Sequence, residues 1–282
     1  MLRVLEPKAV CSVGDPCQPK GVKHAVKAST TKFFILVFVL SVPFYILGAT
    51  GTRLPGIPYL PASALMGFVP AIAALMLISW QRGSESAFAL LKSVLAYERD
   101  VSARWILVAL LFMPIVCLLE FDVLRLTGSA VPIPQIEPIQ ATFYFIAFFI
   151  AAIGEELGWQ GYAYPGLRTS QTVLGSAFIL GIVWALWHLI PFLEMGRSTN
   201  WIFWHLLGTI LLRLVIVWLY ENTGKSILIA VVFHTMINLS LALFPIAGSF
   251  YDPFVAFLIL ALFVCAILAL WRPDVKIAAN SS

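Results

Sequence analysis

Long apolar stretches separated by short polar connections dominate the pattern of this chain. Crossing the hydrocarbon core of a membrane takes about 20 apolar residues per helix. Eight stretches approach or exceed that length, at residues 33–50, 59–80, 105–119, 139–164, 174–193, 201–220, 226–244 and 254–271. No barrel-like alternation of apolar and polar residues is present. Because a backbone in lipid must satisfy its own hydrogen bonds, the pattern predicts an all-α polytopic membrane helix bundle with about eight transmembrane helices.

The composition agrees with this pattern and excludes a soluble domain. Hydrophobic residues make up 61% of the chain and charged residues 11%, whereas soluble domains carry about 25% charged residues. We expect one transmembrane helical domain at residues 33–272, which follows a basic cytoplasmic tail at 1–32 and precedes a short cytoplasmic tail at 273–282. Between the second and third stretches, residues 85–104 carry Phe88, Leu91 and Val94 at helical spacing, which predicts either an interfacial helix or a solvated connector.

The distribution of basic residues predicts the orientation. With eight spans, fourteen of the 18 lysines and arginines fall at the face that holds both termini, and three fall at the opposite face. The remaining one, Arg213, lies within a span. Because cytoplasmic loops are enriched in Lys and Arg, both termini are predicted to be cytoplasmic in a multi-pass protein of the cell membrane. This bias explains the net charge of +4, so the expected partner is the lipid bilayer, with no nucleic acid.

Two adjacent carboxylates, Glu155 and Glu156, stand in the fourth apolar stretch. A charged side chain at membrane depth costs roughly 2.5–3.5 kcal/mol on insertion scales. Neighbouring helical residues point about 100° apart, so one carboxylate can face a central cavity while the other faces a polar partner. A carboxylate in such surroundings suits a general base. The alternative is a structural or pH-sensing pair.

Two histidines and an asparagine follow on later spans. His234 and Asn238 are four residues apart and share one helix face, whereas His188 ends the run Trp184-Ala-Leu-Trp-His188. An imidazole can orient a water and an amide can donate to an oxyanion, although a single intramembrane histidine is as often structural. At about 1.5 Å per residue, Glu155 and His234 lie about 13 Å from the cytoplasmic helix ends and His188 about 20 Å, so convergence requires a displaced or tilted fifth helix.

Other polar and aromatic residues allow competing interpretations. Arg213 lies mid-span and requires a partner, for which Glu155, Glu156 and Glu221 are candidates. We interpret His205, near the outer end of the sixth span, as interfacial. Three tryptophans near the site either line a substrate groove or pack structurally: Trp159, Trp184 and Trp187.

The three polar segments, in this order, resemble the motifs of the CPBP intramembrane proteases, a family that includes type II CAAX prenyl proteases and bacteriocin-processing or immunity proteins. The family motifs are Glu-Glu-x-x-x-Arg, Phe-x-x-x-His and His-x-x-x-Asn. Here they appear as Glu155-Glu156-Leu-Gly-Trp-Gln160, Trp184-Ala-Leu-Trp-His188 and His234-Thr-Met-Ile-Asn238. The resemblance covers residues 139–243, and the motif spellings favour a bacterial cytoplasmic membrane.

The resemblance implies a chemistry and a role for each residue. It implies that Glu155 activates the attacking water with help from His188, that Glu156 is a second essential carboxylate, and that His234 and Asn238 stabilise the oxyanion. The implied substrate is a hydrophobic or prenylated, CAAX-like peptide. Nothing in the sequence indicates an oligomeric state.

Two positions depart from the family motifs, and the cofactor is left open. Gln160 replaces the family arginine, for which Arg213 or Arg168 could substitute, and Trp184 replaces phenylalanine. Glutamate and histidine suit Zn²⁺ with an open position for water, but the chain has no His-Glu-x-x-His helix, so metal-free chemistry is slightly favoured. The rival functions are a catalytically silent binding or immunity protein of the same family and a proton-coupled transporter.

Overall fold

The structure is a computed structural model that describes residues 22–94, 101–271 and 273, with side chains from Thr30 onward. This part of the chain is mostly helical. Seven of its helical stretches are long and apolar enough to cross a membrane, and Ile227–Leu243 is a shorter apolar helix. The predicted all-α polytopic bundle is therefore confirmed, while the count of eight spans and the side of the termini stay predictions. The predicted tails at 1–32 and 273–282 lie largely outside the described residues.

The helices follow one another through short connections. Their bounds are α1 Val22–Ala49, α2 Val69–Arg82, α3 Ser84–Ser93, α4 Ala103–Leu126, α5 Pro138–Gly158, α6 Tyr164–Arg168, α7 Val173–Trp187, α8 Leu189–Glu194, α9 Thr199–Asn222, α10 Ile227–Leu243, a single turn α11 at Pro245–Gly248, and α12 Pro253–Leu270. A 3₁₀-helix at Ala62–Phe68 leads into α2, and a π-helix at Trp159–Ala163 joins α5 to α6.

The second predicted span begins too early. Residues 59–61 belong to a two-stranded antiparallel hairpin, in which Arg53–Leu54 (β1) pairs with Ile57–Pro61 (β2). Pro55 and Gly56 form the turn, and Gly56 has a φ of 78°, as position three of a type II turn requires. The apolar pattern continued through this hairpin because its residues are themselves apolar.

Two further expectations can be compared with the helices. The third span is longer than predicted, because α4 runs through Pro114 and reaches Leu126. A helix is present as far as Ser93, where α3 leaves Phe88 and Leu91 exposed, and its place at the membrane interface stays a prediction. Residues 95–100, which complete that predicted helix, lie outside the described part of the chain.

Side-chain caps fix the starts of the helices around the centre. Thr172, Ser198 and Ser226 each accept a backbone N–H three residues later, at the beginnings of α7, α9 and α10. Asp252 does the same for two N–H groups of α12. Such caps satisfy donors that have no partner within the helix, so the polar residue before each apolar run decides where the helix begins.

Helices α5, α7, α9 and α10 surround the centre of the bundle. Helix α10 packs against α5, α9 and α4, while α7 packs against α9. Helices α1, α4 and α12 turn large apolar side chains outward, such as Ile46, Leu118 and Leu262, which is the surface that contact with lipid requires. Polar side chains placed between the four central helices are therefore shielded from lipid.

Two glycines bring α5 unusually close to the elements beside it. A Cβ on Gly154 would lie 2.6 Å from the carbonyl oxygen of Gly67, and one on Gly158 would lie 2.5 Å from the backbone of Pro70. Small residues permit this close approach of membrane helices. The contact holds the segment that carries Glu155 and Glu156 tightly against the start of α2.

Candidate active site

The two adjacent carboxylates of α5 point in different directions, as helix geometry predicts. Glu155 lines a cavity between the central helices. Glu156 is fully buried and faces α9 and α10, where it contacts Arg213 and His234. One carboxylate is therefore available to a bound molecule, and the other belongs to the supporting structure beneath the cavity.

Glu156 receives a hydrogen bond on each of its oxygens. Arg213 Nη1 donates to Oε2 at 2.7 Å, and His234 Nδ1 lies 2.7 Å from Oε1. Because a carboxylate can only accept, the His234 proton sits on Nδ1. This leaves Nε2 of His234 facing Oε1 of Glu155 at 3.9 Å, which is too far for a direct hydrogen bond.

Trp184 holds Glu155 from the other side. Its indole Nε1 donates to Oε2 of Glu155 at 2.7 Å, and both side chains are buried. The guanidinium of Arg213 lies over the same indole, 4.0 Å from the ring centroid. The phenylalanine expected at this position could make the stacking contact but has no N–H to offer. The sequence pattern predicted a groove or packing role for Trp184 and gave no sign of this contact.

His188 occupies a break between two helices. Helix α7 ends at Trp187, and the backbone N–H of His188 bonds to Ala185 three residues back. This leaves the carbonyl of Trp184 for the imidazole, whose Nδ1 lies 2.8 Å away. A carbonyl can only accept, so Nδ1 carries the proton and Nε2 keeps a lone pair. The Trp187 carbonyl, whose usual donor is replaced by Pro191, accepts the hydroxyl of Tyr45 at 2.9 Å.

The predicted polar residues converge on one cavity. Glu155, His188, His234 and Asn238 all line a space of about 210 Å³, and Glu156 does not. His205 also lines it and is buried, stacked on Trp201 with ring centroids 4.5 Å apart. The interpretation of His205 as an interfacial residue is therefore wrong. It stands outside the three motifs, so no sequence signal indicated its place in the cavity.

The cavity extends toward one end of the bundle. The end is formed by the last strand residues Tyr59–Pro61, the turn after α8, and the connection between α10 and α12. Burial raises the pKa of the Tyr59 and Tyr251 hydroxyls at this end, so both stay protonated. Burial also lowers the pKa of the Arg197 guanidinium, which lies 4.7 Å from the ring of Trp201.

Arg213 supplies the cation that position 160 lacks. Gln160 lies in the π-helix, fully buried, and its side-chain amide has no hydrogen-bond partner among the described residues. Arg168 instead donates to the carbonyl of Gln171. Of the partners considered for Arg213, the structure selects Glu156. The carboxylate therefore keeps a cationic partner although the motif arginine is absent.

A metal does not fit the arrangement of side chains. His188 and His234 each anchor Nδ1 on an oxygen acceptor, which is common for metal-bound histidines. Within the described part of the chain, however, no three His, Cys, Asp or Glu side chains come close enough to form a ligand group. We therefore derive no chemical step through a metal.

Fold and site together define a polytopic membrane protein with a buried carboxylate and imidazole site. Residues 137–240, which contain all five predicted site residues, match the family model described as type II CAAX prenyl endopeptidase Rce1-like. A similar protein is the CAAX prenyl protease 2 of Methanococcus maripaludis, which is 27% identical over 232 residues, or 76% of this chain and 84% of the relative.

Residues 137–240 are thus similar to an Rce1-like CAAX prenyl endopeptidase domain. The resemblance predicted from the three motifs is confirmed, and the matched segment nearly coincides with the predicted core at 139–243. The matching family model and the name of the similar protein support an intramembrane protease, which is a hydrolase.

Proposed function

We propose that this protein hydrolyses a peptide bond in a hydrophobic or lipidated, CAAX-like peptide, with Glu155 as the general base. The observation that carries the proposal is the position of Glu155. It lies in the wall of an apolar, aromatic-lined cavity, fixed by Trp184 through one oxygen and facing His234 with the other. The family match and the name of the relative support the same reaction.

The gap between Glu155 and His234 is suited to the attacking water. Oε1 of Glu155 and Nε2 of His234 are 3.9 Å apart, and polar groups at such a separation are commonly bridged by water. A water held there gives its proton to Oε1 and attacks the carbonyl carbon. The Trp184 hydrogen bond keeps the second oxygen occupied, so the basic lone pairs of Oε1 point at the water.

His188 assists in placing the water or the substrate. Its Nδ1 is committed to the Trp184 carbonyl, so Nε2 is the nitrogen that acts in the cavity. A lone pair on Nε2 can accept a hydrogen bond from the attacking water. Because the ring is also packed against Trp184 and Trp187, it meets the water in a fixed orientation, which is what positioning catalysis requires.

Asn238 and His234 stabilise the charge that develops on the carbonyl oxygen. The amide of Asn238 lies one helical turn beyond His234 and lines the same cavity. His234 can donate from Nε2 only when its ring carries two protons, because Nδ1 already donates to Glu156. With both glutamates ionised, Arg213 and a cationic His234 make the four groups neutral together. Preorganised donors of this kind contribute about 2.7–4 kcal/mol each.

Collapse of the tetrahedral intermediate completes the reaction. The C–N bond breaks, and the proton held by Glu155 passes to the departing amine nitrogen. Glu155 returns to its ionised form, and the new carboxylate and amine leave as two peptides. These steps use only Glu155, His188, His234 and Asn238 as groups that face the reacting atoms.

The test compares purified wild type with Glu155→Gln on fluorogenic hydrophobic and prenylated peptides, with and without a chelator. We expect cleavage by the wild type alone, unaffected by the chelator. Glu137→Gln is the matched control, since Glu137 is exposed just before α5. Cleavage retained in Glu155→Gln would eliminate the proposed base, and loss of wild-type cleavage in chelator would require a metal.

The rival functions give different results in the same assay. A binding or immunity protein would bind peptide without cutting it, and a transporter would show flux driven by a proton gradient. A glutamine in place of the motif arginine at position 160 would favour a silent site if it left the buried carboxylate without a cation. The Arg213–Glu156 pair supplies that cation and so favours an active site.

A further inference from the structure

The break between α7 and α8 leaves two backbone carbonyls without their usual helical donors. The amide of His188 bonds to the carbonyl of Ala185 instead of that of Trp184. Pro191 has no N–H to offer to the carbonyl of Trp187. The His188 imidazole takes the carbonyl of Trp184 at 2.8 Å. Because an unpartnered carbonyl at membrane depth is costly, the second carbonyl needs a donor from another part of the chain.

Helix α1 supplies that donor. The hydroxyl of Tyr45 donates to the carbonyl of Trp187 at 2.9 Å. One turn earlier, the hydroxyl of Ser41 accepts the indole N–H of Trp187 at 2.8 Å and donates to the carbonyl of Val37 at 2.7 Å. The bond to Ser41 holds only the indole side chain, whereas the bond from Tyr45 holds the backbone of the break itself.

A single face of α1 lies along the break. Ser41, Tyr45 and Gly48 recur at spacings of four and three residues, which places them on one side of a helix. A Cβ on Gly48 would meet the carboxylate of Glu194, the last residue of α8. That carboxylate also accepts a hydrogen bond from Ser63, in the 3₁₀-helix before α2. The face therefore contacts both helices that meet at the break.

The orientation of the His188 imidazole depends on the backbone of the break. Its Nδ1 can bond to the carbonyl of Trp184 because the His188 amide has turned to Ala185. The rings of Trp184 and Trp187 pack against the imidazole edge to face, with centroids 5.3 and 4.8 Å away. The imidazole therefore keeps one orientation for as long as the backbone between α7 and α8 keeps its position.

We propose that Tyr45 is a positioning residue for His188. Its hydrogen bond to the Trp187 carbonyl holds the break open, so that the Trp184 carbonyl stays free for the imidazole. Without the hydroxyl, α1 no longer holds the backbone, and the last turn of α7 can close by returning the His188 amide to Trp184. The inference rests on the proposed function, in which His188 places water or substrate. Tyr45 lies outside the segment that matches the family model, residues 137–240.

Tyr45→Phe tests the inference because it removes the hydroxyl and keeps the ring. A displacement of about 1 Å can cost about 100-fold in rate, so we expect kcat to fall roughly 10- to 100-fold while KM changes little. Tyr164→Phe is the matched control, since its hydroxyl donates to Glu221 at 2.8 Å and not to the break. Both variants should lose similar thermal stability in detergent, and only Tyr45→Phe should lose kcat.

The effect of Tyr45→Phe should also depend on His188. We expect His188→Ala to lower kcat and the double variant His188→Ala/Tyr45→Phe to lower it no further, because the hydroxyl acts through the imidazole. A purely structural role would reduce kcat by the same factor in both backgrounds. Such an equal reduction, a Tyr45→Phe kcat within about threefold of the wild type, or an equal fall in Tyr164→Phe would overturn the inference.

A second measurement does not depend on hydrolysis. In protein that carries isotope-labelled histidine, two-bond proton–nitrogen correlations show which ring nitrogen is protonated, and His188→Gln identifies the signals of His188. The wild type should carry the proton on Nδ1, and Tyr45→Phe should show a mixture in which Nε2 carries it in part. A Tyr45→Phe spectrum equal to that of the wild type would overturn the inference while the hydrolase stands. The expected spectra from a protein that cleaves no peptide would refute the proposed function and leave the positioning of His188 intact.

Discussion

Replacing Trp184 by phenylalanine should impair catalysis, although phenylalanine is the usual residue at this motif position. The substitution keeps an aromatic ring beneath Arg213 but removes the N–H that donates to Glu155 at 2.7 Å. A hydrogen bond to a charged group contributes about 1.5–3 kcal/mol. At about 1.36 kcal/mol per tenfold change in rate, kcat should fall roughly 10- to 150-fold. Because the bond orients the base without contacting substrate, KM should change little.

The assay measures kcat and KM separately on the best fluorogenic peptide. A positioning role for Trp184 lowers kcat per folded molecule at an unchanged KM. A purely structural role would lower only the amount of folded protein.

Trp187→Phe is the matched control for lost packing. Trp187 is equally buried in the last turn of α7, and its indole donates to Ser41 at 2.8 Å instead of to a carboxylate. Thermal unfolding in detergent should therefore show a similar loss of stability in both variants. A Trp184→Phe enzyme with kcat within about threefold of the wild type, or a kcat that falls equally in both variants, would refute the positioning role.

Three further predictions concern the structure beneath the cavity. Arg213→Met leaves the buried Glu156 without its cation and should lower the free energy of unfolding by about 3–5 kcal/mol. Adding Glu156→Gln should restore part of that stability. A double variant no more stable than Arg213→Met would contradict the pairing. Gly154→Ala should lower the free energy of unfolding by about 1–3 kcal/mol, because its new Cβ meets backbone atoms. Gly208→Ala is the control and should be tolerated, since its Cβ would lie 3.7 Å from a flexible leucine side chain. Equal thermal stability of the two variants would contradict the close packing at Gly154. Gln160→Leu should retain stability and peptide cleavage, since its amide has no partner among the described residues, and an inactive but folded variant would give Gln160 a role that we do not assign.

Much of the site followed from periodicity. The 100° between neighbouring helical residues predicted that Glu155 and Glu156 would diverge, and the spacing of four predicted that His234 and Asn238 would share a face. Both statements depend only on local helix geometry, which apolar surroundings preserve. The partner of Arg213 could not be chosen in this way, because the choice depends on how α9 is rotated and shifted against α5.

The sequence pattern gave no sign of two contacts, one of which depends on a single atom and the other on a bend between helices. An indole and a phenyl ring are equivalent in an apolar pattern, yet only the indole at position 184 can donate to Glu155. His205 lacked any motif and looked interfacial, but the bend after α8 brings Phe192 and Trp201 against it. The start of the second span was misplaced because a hairpin of apolar residues has the same composition as a helix end.

The sequence by itself determined that this is a helical membrane protein, which face of each helix is polar, and which end of the bundle is rich in basic residues. These properties are set by residues close together in the chain and by their transfer between water and lipid. Only the tertiary structure decided that Glu156 lies beneath the cavity, that Arg213 is its partner, and that Trp184 holds Glu155. Those outcomes depend on the packing of helices that are far apart in sequence, where the position of a side chain is fixed by its neighbours across the bundle.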